Sequence, residues 1–219
     1  MGIPVMILGE SGSGKSTSLR NFKKGEVGVI SVAGKPLPFR TEITPYNISR
    51  KAKEKGTDRY TLIKSVIKNS SVNTFVIDDS QYLMAFDSFD RVKETGYGKF
   101  TDMAVSFEKL IEFCVNDIDD DKTVYFLHHC ETTDTGKQKA KTIGKMLDNQ
   151  LTLEGLFLIV LFCVTDGQSH KFITQSDGTT TAKSPMEMFE IEIDNDLKFV
   201  DEEIRKYYNL KGANEDETH

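Results

Sequence analysis

Residues Gly9 to Thr17 read Gly-Glu-Ser-Gly-Ser-Gly-Lys-Ser-Thr. They satisfy G-x-x-x-x-G-K-[ST] with Gly9, Gly14, Lys15 and Ser16 in the fixed places. The apolar run Ile3 to Leu8 leads straight into them and reads as a buried parallel strand. Ser16 to Phe22 follows and reads as the first turns of a short helix. Strand, glycine-rich loop and helix in this order separate a phosphate-binding loop from a chance match in a glycine-rich turn. They also commit the chain to an α/β fold.

The residue types suit a nucleoside triphosphate. Its phosphates need several backbone N–H donors converging on one concavity, and Gly9, Gly12 and Gly14 permit that backbone. The helix beginning at the loop adds the positive end of its dipole. Lys15 brings a mobile charge for the β- and γ-phosphates, and the Ser16 hydroxyl is a Mg²⁺ ligand. The expected nucleotide-binding set is therefore Gly9, Glu10, Ser11, Gly12, Ser13, Gly14, Lys15, Ser16 and Thr17.

The 219 residues suffice for one domain with a sizeable core, expected over 1–210 with a disordered tail at 211–219. A net charge of −6 argues against a generally basic nucleic-acid binder but leaves room for a local basic groove. Cys114, Cys130 and Cys163 lie far apart in apolar runs without metal-ligand spacing, which suits reduced core cysteines. No apolar run reaches membrane-spanning length and no signal peptide precedes the first strand, so a soluble cytoplasmic protein is expected.

Further strands are expected at Val27 to Val32, Thr74 to Asp79, Thr123 to Leu127 and Gly155 to Val164, with a helix over Asp58 to Asn69. The stretch from Ala33 to Gly56 reads as a turn and then polar, basic chain. Thr74 to Ile77 is apolar and ends in Asp78-Asp79. An acid there suits the Mg²⁺ site of a phosphate-loop enzyme. Asp78 is expected to hold the metal with Ser16, and Asp79 to polarise the attacking water; a register shift exchanges the two. A plain helix N-cap is the competing reading.

Ser80 to Phe89 reads as helix and Asp102 to Ile118 as a strongly amphipathic one. Between them lie Arg91, Lys93, Tyr97, Lys99 and Phe100, which suit a mobile loop that stacks bases and neutralises phosphates, or equally a surface turn tucked onto the core. The strand from Thr123 runs into His128-His129, at the carboxyl end where open α/β sheets bind ligands. One of these histidines is expected near the γ-phosphate. Glu131 to Lys145 carries Lys137, Lys139, Lys141 and Lys145 and reads as a basic, glycine-punctuated loop for a phosphodiester backbone, or as a solvated loop. A helix over Met146 to Glu154, an antiparallel meander through Lys171 to Gln175 and Thr179 to Ala182, and a last helix over Asn195 to Tyr208 complete the pattern.

The phosphate loop, Val76-Ile77-Asp78-Asp79-Ser80-Gln81-Tyr82-Leu83, Tyr125-Phe126-Leu127-His128-His129 and Lys139-Ala140-Lys141-Thr142-Ile143-Gly144-Lys145-Met146-Leu147 together resemble the phage AAA/RecA-like ATP-binding proteins. These include minimal RecA-core proteins implicated in single-strand annealing and recombination. The resemblance runs over residues 3 to 208.

It implies a RecA-like P-loop NTPase: a central, mostly parallel sheet flanked by helices, with a small antiparallel extension near the C-terminus. It implies ATP and Mg²⁺ as cofactors, and a homo-oligomer, ring or filament, with ATP between subunits. It also implies single-stranded DNA bound through Asp90 to Phe100 and Thr132 to Lys145, a single-strand-binding protein as a further partner, and the cytoplasm of a phage-infected or lysogenic bacterium. His128 or His129 falls where such proteins carry a γ-phosphate sensor. Two departures stand out. The glutamate usual after the second strand is replaced by Ala33-Gly34-Lys35, which leaves Asp79 as its substitute or hydrolysis slow. The extra N-terminal domain of full recombinases is also missing.

The leading expectation is an ATPase acting on single-stranded DNA in phage recombination or replication, with Lys15, Asp79, His128 and His129 at the reaction and Lys183 as a trans-acting finger. A nucleotide kinase is the second reading, weakened by the scarcity of arginine after Arg91. A nucleotide-gated assembly or loader protein with little turnover is the third.

Overall fold

The computed structural model describes residues 1–96, 98–143 and 152–211. Its centre is a sheet in the order β3-β2-β4-β5-β1-β7-β8-β9, built from β3 (Tyr46–Asn47), β2 (Val27–Ser31), β4 (Thr74–Asp78), β5 (Thr123–Thr132), β1 (Ile3–Gly9), β7 (Ile159–Thr165), β8 (His170–Ile173) and β9 (Glu192–Asp194). Pairing is parallel from β3 through β7 and antiparallel at β7–β8 and β8–β9. A short strand β6 (Gln138–Ala140) pairs antiparallel with the far end of β5. The fold is thus α/β with a mostly parallel sheet and a small antiparallel extension.

The inner strands are apolar on both faces because both faces are covered. On one, Met6, Leu8, Phe75, Ile77, Val124 and Phe126 pack against α1 (Ile48–Lys55), α2 (Arg59–Lys68), α3 (Tyr82–Asp90) and α4 (Gly98–Asn116). On the other, Val5, Ile7, Val76, Tyr125 and Leu127 meet Leu19 of a 3₁₀ helix (Ser16–Asn21) and Leu197, Val200 and Ile204 of α5 (Leu197–Tyr207). Alternate residues of each strand serve opposite cores, as the pleat requires.

Several expectations need correction. The polar stretch before Gly56 contains β3 and α1. Asn47 caps α1 through the Arg50 N–H, and Gly56 closes it in the left-handed conformation, φ 63°. Helix α4 begins at Gly98, so Lys99 and Phe100 lie in its first turn rather than in a loop. β5 continues through both histidines, and the expected basic loop is a β5–β6 hairpin pairing Cys130 with Ala140 and Thr132 with Gln138. Cross-strand hydrogen bonds, invisible to local composition, order it. The third antiparallel strand is Glu192–Asp194, not Thr179 to Ala182. Tyr97, Lys145 and most of the helix expected over Met146 to Glu154 lie outside the described residues, as does the tail beyond Lys211. Lys211 itself is held by Asp121, its N–H at 3.0 Å and its Nζ at 3.1 Å.

A buried polar cluster fastens α5 beneath the sheet, at the amino ends of β4 and β5. Asp201 accepts from Thr123 Oγ1 (2.6 Å) and Tyr125 Oη (2.8 Å) on one oxygen, and from Thr74 Oγ1 (2.8 Å) and Arg205 Nε (2.7 Å) on the other. Arg205 also donates to the Asp121 and Lys211 carbonyls. Every lone pair of the carboxylate has a donor, which is what makes a buried charge tolerable. Asp201→Ala strands the guanidinium and should lower the unfolding free energy by about 3–5 kcal/mol. Asp201→Leu/Arg205→Met should cost less than the sum of the two single changes; urea titrations of the four proteins check this.

Candidate functional site

The loop after β1 is shaped by steric necessity. Gly12 and Gly14 have φ of 83° and 102°, where a side chain is strained. A Cβ on Gly9 would lie 2.5 Å from Ser13 Oγ and 2.7 Å from the Cys163 carbonyl oxygen. A Cβ on Gly14 would lie 2.7 Å from His170 Nδ1. The loop is gripped from outside: the Ser13 carbonyl accepts from His170 Nδ1 (2.8 Å) and the Cys163 thiol (3.0 Å), and Asn195 Nδ2 donates to that sulfur (3.1 Å). Strands β7 and β8 therefore position the glycine loop, an arrangement no sequence pattern announced.

Lys15 is buried and its ammonium donates to the carbonyls of Gly9 (2.8 Å) and Glu10 (2.7 Å). Burial lowers its pKa, with surrounding acidic groups opposing. The helix that follows is a six-residue 3₁₀ helix, so the dipole contribution expected from the sequence is small. Ser16 Oγ donates to Asp78 Oδ1 at 2.8 Å across 62 residues of chain. Burial raises the Asp78 carboxyl, and the Ser16 bond opposes that rise.

Asp79 turns away from Ser16. Its φ of 60° ends β4 abruptly, and the turn is held by Ser80 N–H to the Leu127 carbonyl (2.9 Å). Its carboxylate meets Lys35 Nζ at 2.9 Å and His129 Nε2 at 3.4 Å. Burial raises this carboxyl, but the bonds from His129 and Lys35 outweigh it and leave the pKa lowered. The two adjacent acids are thus pushed apart in acidity by different surroundings.

Ser11, Gly12, Gly14, Lys15, Ser16, Thr17, Lys35, Pro36, Pro38, Asp78, Asp79, His129 and His170 line one cleft of about 270 Å³. A larger cleft of about 650 Å³ lies among α1 to α4, lined by Arg59 and Arg91, both already ion-paired. The smaller one is the candidate site, because it gathers the glycine loop, the buried lysine and the hydroxyl–carboxylate pair. Ser13 Oγ is buried against Gly9 without a hydrogen-bond partner and does not line the cleft. The cleft residues fit a polyphosphate with Mg²⁺, an ion that keeps several waters and takes one or two protein oxygens, here Ser16 and Asp78. Among the described residues no group of three or more histidine, cysteine or acidic side chains converges as a metal site.

The histidine pair divides. Phe126 and His128 point to one face of β5, against Phe107 of α4, with ring centroids 6.0 and 5.8 Å away. His129 faces the cleft. His128 is fully buried, its Nδ1 2.9 Å from Ser80 Oγ and its Nε2 2.8 Å from the Lys141 carbonyl. A carbonyl only accepts, so Nε2 carries the proton and Ser80 donates to Nδ1. His128 is a neutral structural histidine, a correction to its expected place at the γ-phosphate; the alternation of the strand decides it.

Other expected residues are elsewhere. Lys183 pairs its backbone with Val160 in both directions (2.8 Å each) and does not line the cleft. Arg91 bridges Glu94 and Asp102, both at 2.7 Å, and Lys99 Nζ donates to the Glu94 carbonyl (3.2 Å), so neither side chain extends freely. Lys93 is exposed. On the hairpin, Lys137 and Lys141 are exposed while Lys139 is paired with Glu131 at 3.3 Å. Lys35 and His170 were missed: neither lies in a motif, although Lys35 occupies the stretch where the resemblance implies an acid.

No protein-family model matches the chain, and no curated protein matches it in sequence. Among the described residues no helix is long and apolar enough to cross a membrane.

Burial lowers the pKa of His128 from 6.5 to about 4. The unfolded chain takes up this proton near pH 6.5 and the folded chain only near 4, so stability is lost as pH falls through that window. The loss should be about 3 kcal/mol. His128→Gln has nothing to protonate there, and its stability curve from pH 7 to 4 should be flatter than wild type by that amount in urea titrations.

Proposed function

We propose that this chain is a Mg²⁺-dependent ATPase of RecA-like kind that acts on single-stranded DNA. The observation that carries the reading is the Ser16–Asp78 contact at 2.8 Å beside the buried Lys15, at the mouth of a glycine loop with no room for a Cβ on Gly9 or Gly14. Ser16 and Asp78 hold the metal, Lys15 and the loop amides hold the phosphates, and Mg²⁺ when bound neutralises charge on the transferring group. Water attacks the γ-phosphorus and the bond to the β–γ bridging oxygen breaks, giving ADP and inorganic phosphate. Asp79 and His129 are the groups suited to orient that water. His129 is the last residue of β5 paired with β1, opposite Gly9, and the resemblance implies a γ-phosphate sensor in this region.

On this reading a second copy of the chain completes the open cleft. Lys183 is then available only in trans. The β5–β6 hairpin supports the DNA reading: it leaves the cleft strand directly after His129 and presents Lys137 and Lys141 to solvent. One observation favours the low-turnover, nucleotide-gated alternative, namely that Asp79 is already engaged by Lys35 and His129.

Phosphate release from ATP, measured with and without single-stranded DNA, is the direct test. Turnover should rise with DNA and fall on the order of 10²-fold in Lys15→Ala and in Asp78→Asn. Phosphoryl transfer to a small acceptor would sink the reading in favour of a kinase, and binding without turnover would favour the gated assembly protein. For the hairpin, Lys137→Ala/Lys141→Ala should flatten the dependence of log affinity on log salt by about 1.4, at roughly 0.7 per lost single-strand phosphate contact. An unchanged slope removes the hairpin from DNA binding.

A further inference from the structure

We propose that Lys35 is a triphosphate-sensing cation that exchanges between Asp79 and the terminal phosphate of the bound nucleotide, so that the chain distinguishes nucleoside triphosphate from diphosphate. The inference rests on the phosphate-site reading above and extends it to a residue outside every motif.

Lys35 is built to deliver a mobile charge from a fixed base. Gly34 precedes it with φ 72°, and a Cβ there would lie 2.3 Å from Asn47 Nδ2, so the turn is packed against the cap of α1. Ser31 Oγ donates to the Lys35 carbonyl (3.3 Å), and Pro36 and Pro38 continue the cleft wall. The backbone is thereby anchored while the side chain remains 60% exposed. Its ammonium lies 2.9 Å from Asp79 Oδ2 and 5.5 Å from the centroid of the Tyr82 ring, on a flexible four-carbon stem.

The charges of the cleft give that mobility a purpose. Lys15 serves the phosphates from the loop side of the cleft, its ammonium resting on the Gly9 and Glu10 carbonyls, and no arginine lines the cleft among the described residues. Asp78 and Asp79 are two carboxylates facing the place where the outermost phosphate charge arrives. Asp78 has Ser16 and, on this reading, the metal. Asp79, largely buried itself, has His129 on one oxygen and Lys35 on the other, and of these the Lys35 ammonium comes from a solvent-exposed, flexible side chain. A terminal phosphate offers the ammonium a second, more highly charged partner within the same cleft. When Lys35 moves to it, the repulsion between phosphate and Asp79 is offset, and the Asp79 oxygen that Lys35 held is freed to orient water while the other stays on His129. A diphosphate brings no such group, and the Lys35–Asp79 pair stays closed. The pair thus keeps the acid engaged until a triphosphate is present.

The test compares Mg²⁺-bound β,γ-imido ATP and Mg²⁺-bound ADP by calorimetry on the full chain. Lys35→Met should weaken the triphosphate analogue roughly tenfold and leave ADP within about twofold, the size of one charge-assisted contact made by one ligand only. Lys35→Arg should restore most of the difference. Asp79→Asn frees the ammonium and should tighten the triphosphate analogue, and this gain should vanish in Lys35→Met/Asp79→Asn. Thermal melts confirm that each variant is folded. Equal weakening of both nucleotides by Lys35→Met, or no change in either, overturns the exchange. A wild-type chain that binds neither nucleotide overturns the phosphate-site reading itself, and the inference with it.

Discussion

The arrangement depends on β5 pairing in parallel with β1 on one side and β4 on the other. Its register sets Gly9 opposite His129 and Ile77 opposite Phe126. The glycine loop, the acid pair and the cleft histidine therefore leave the sheet at one edge, although they are separated by dozens of residues. Parallel strands gain nothing from sequence proximity and need crossover segments to meet. Here the two faces of the sheet, each covered by apolar helices, hold that register, because a slip of one residue would send every strand side chain to the wrong core.

From that pairing follows a short polar chain between the turn after the acid pair and the lysine hairpin. Ser80, directly after the acid pair, bonds to His128, and His128 bonds to the carbonyl of Lys141 at the base of the lysine hairpin. The Lys141 N–H in turn donates to the His129 carbonyl (2.9 Å). The hairpin is thus tied through hydrogen bonds to the turn that aims Asp79. His128 serves the site by position rather than by contact, and its burial as a neutral ring is the condition for doing so.

The phosphate loop is similarly held from outside its own motif. Cys163 and His170 grip the Ser13 carbonyl, and Asn195 supports the Cys163 sulfur. The antiparallel extension, which carries His170, is therefore part of the site's architecture. On the opposite wall Lys35 and the proline turn after β2 contribute the second cation. A cleft read from its motif alone would consist of the loop and the two aspartates; the structure adds both walls.

Much of this was legible in the residues. The glycine pattern, the apolar run before it, the acids ending β4 and the long amphipathic α4 are local signals, set by backbone sterics and by the 3.6-residue and two-residue periods. They determined the α/β class, the strand and helix types and the nine-residue loop. Tertiary structure alone decided which aspartate meets Ser16, which histidine faces the cleft, that the lysine stretch is a hairpin, and that Lys35 and His170 belong to the site. The reason is physical. A motif encodes what a segment does with its own neighbours, whereas these choices turn on strand register, on the left-handed turn at Asp79 and on contacts between segments far apart in the chain.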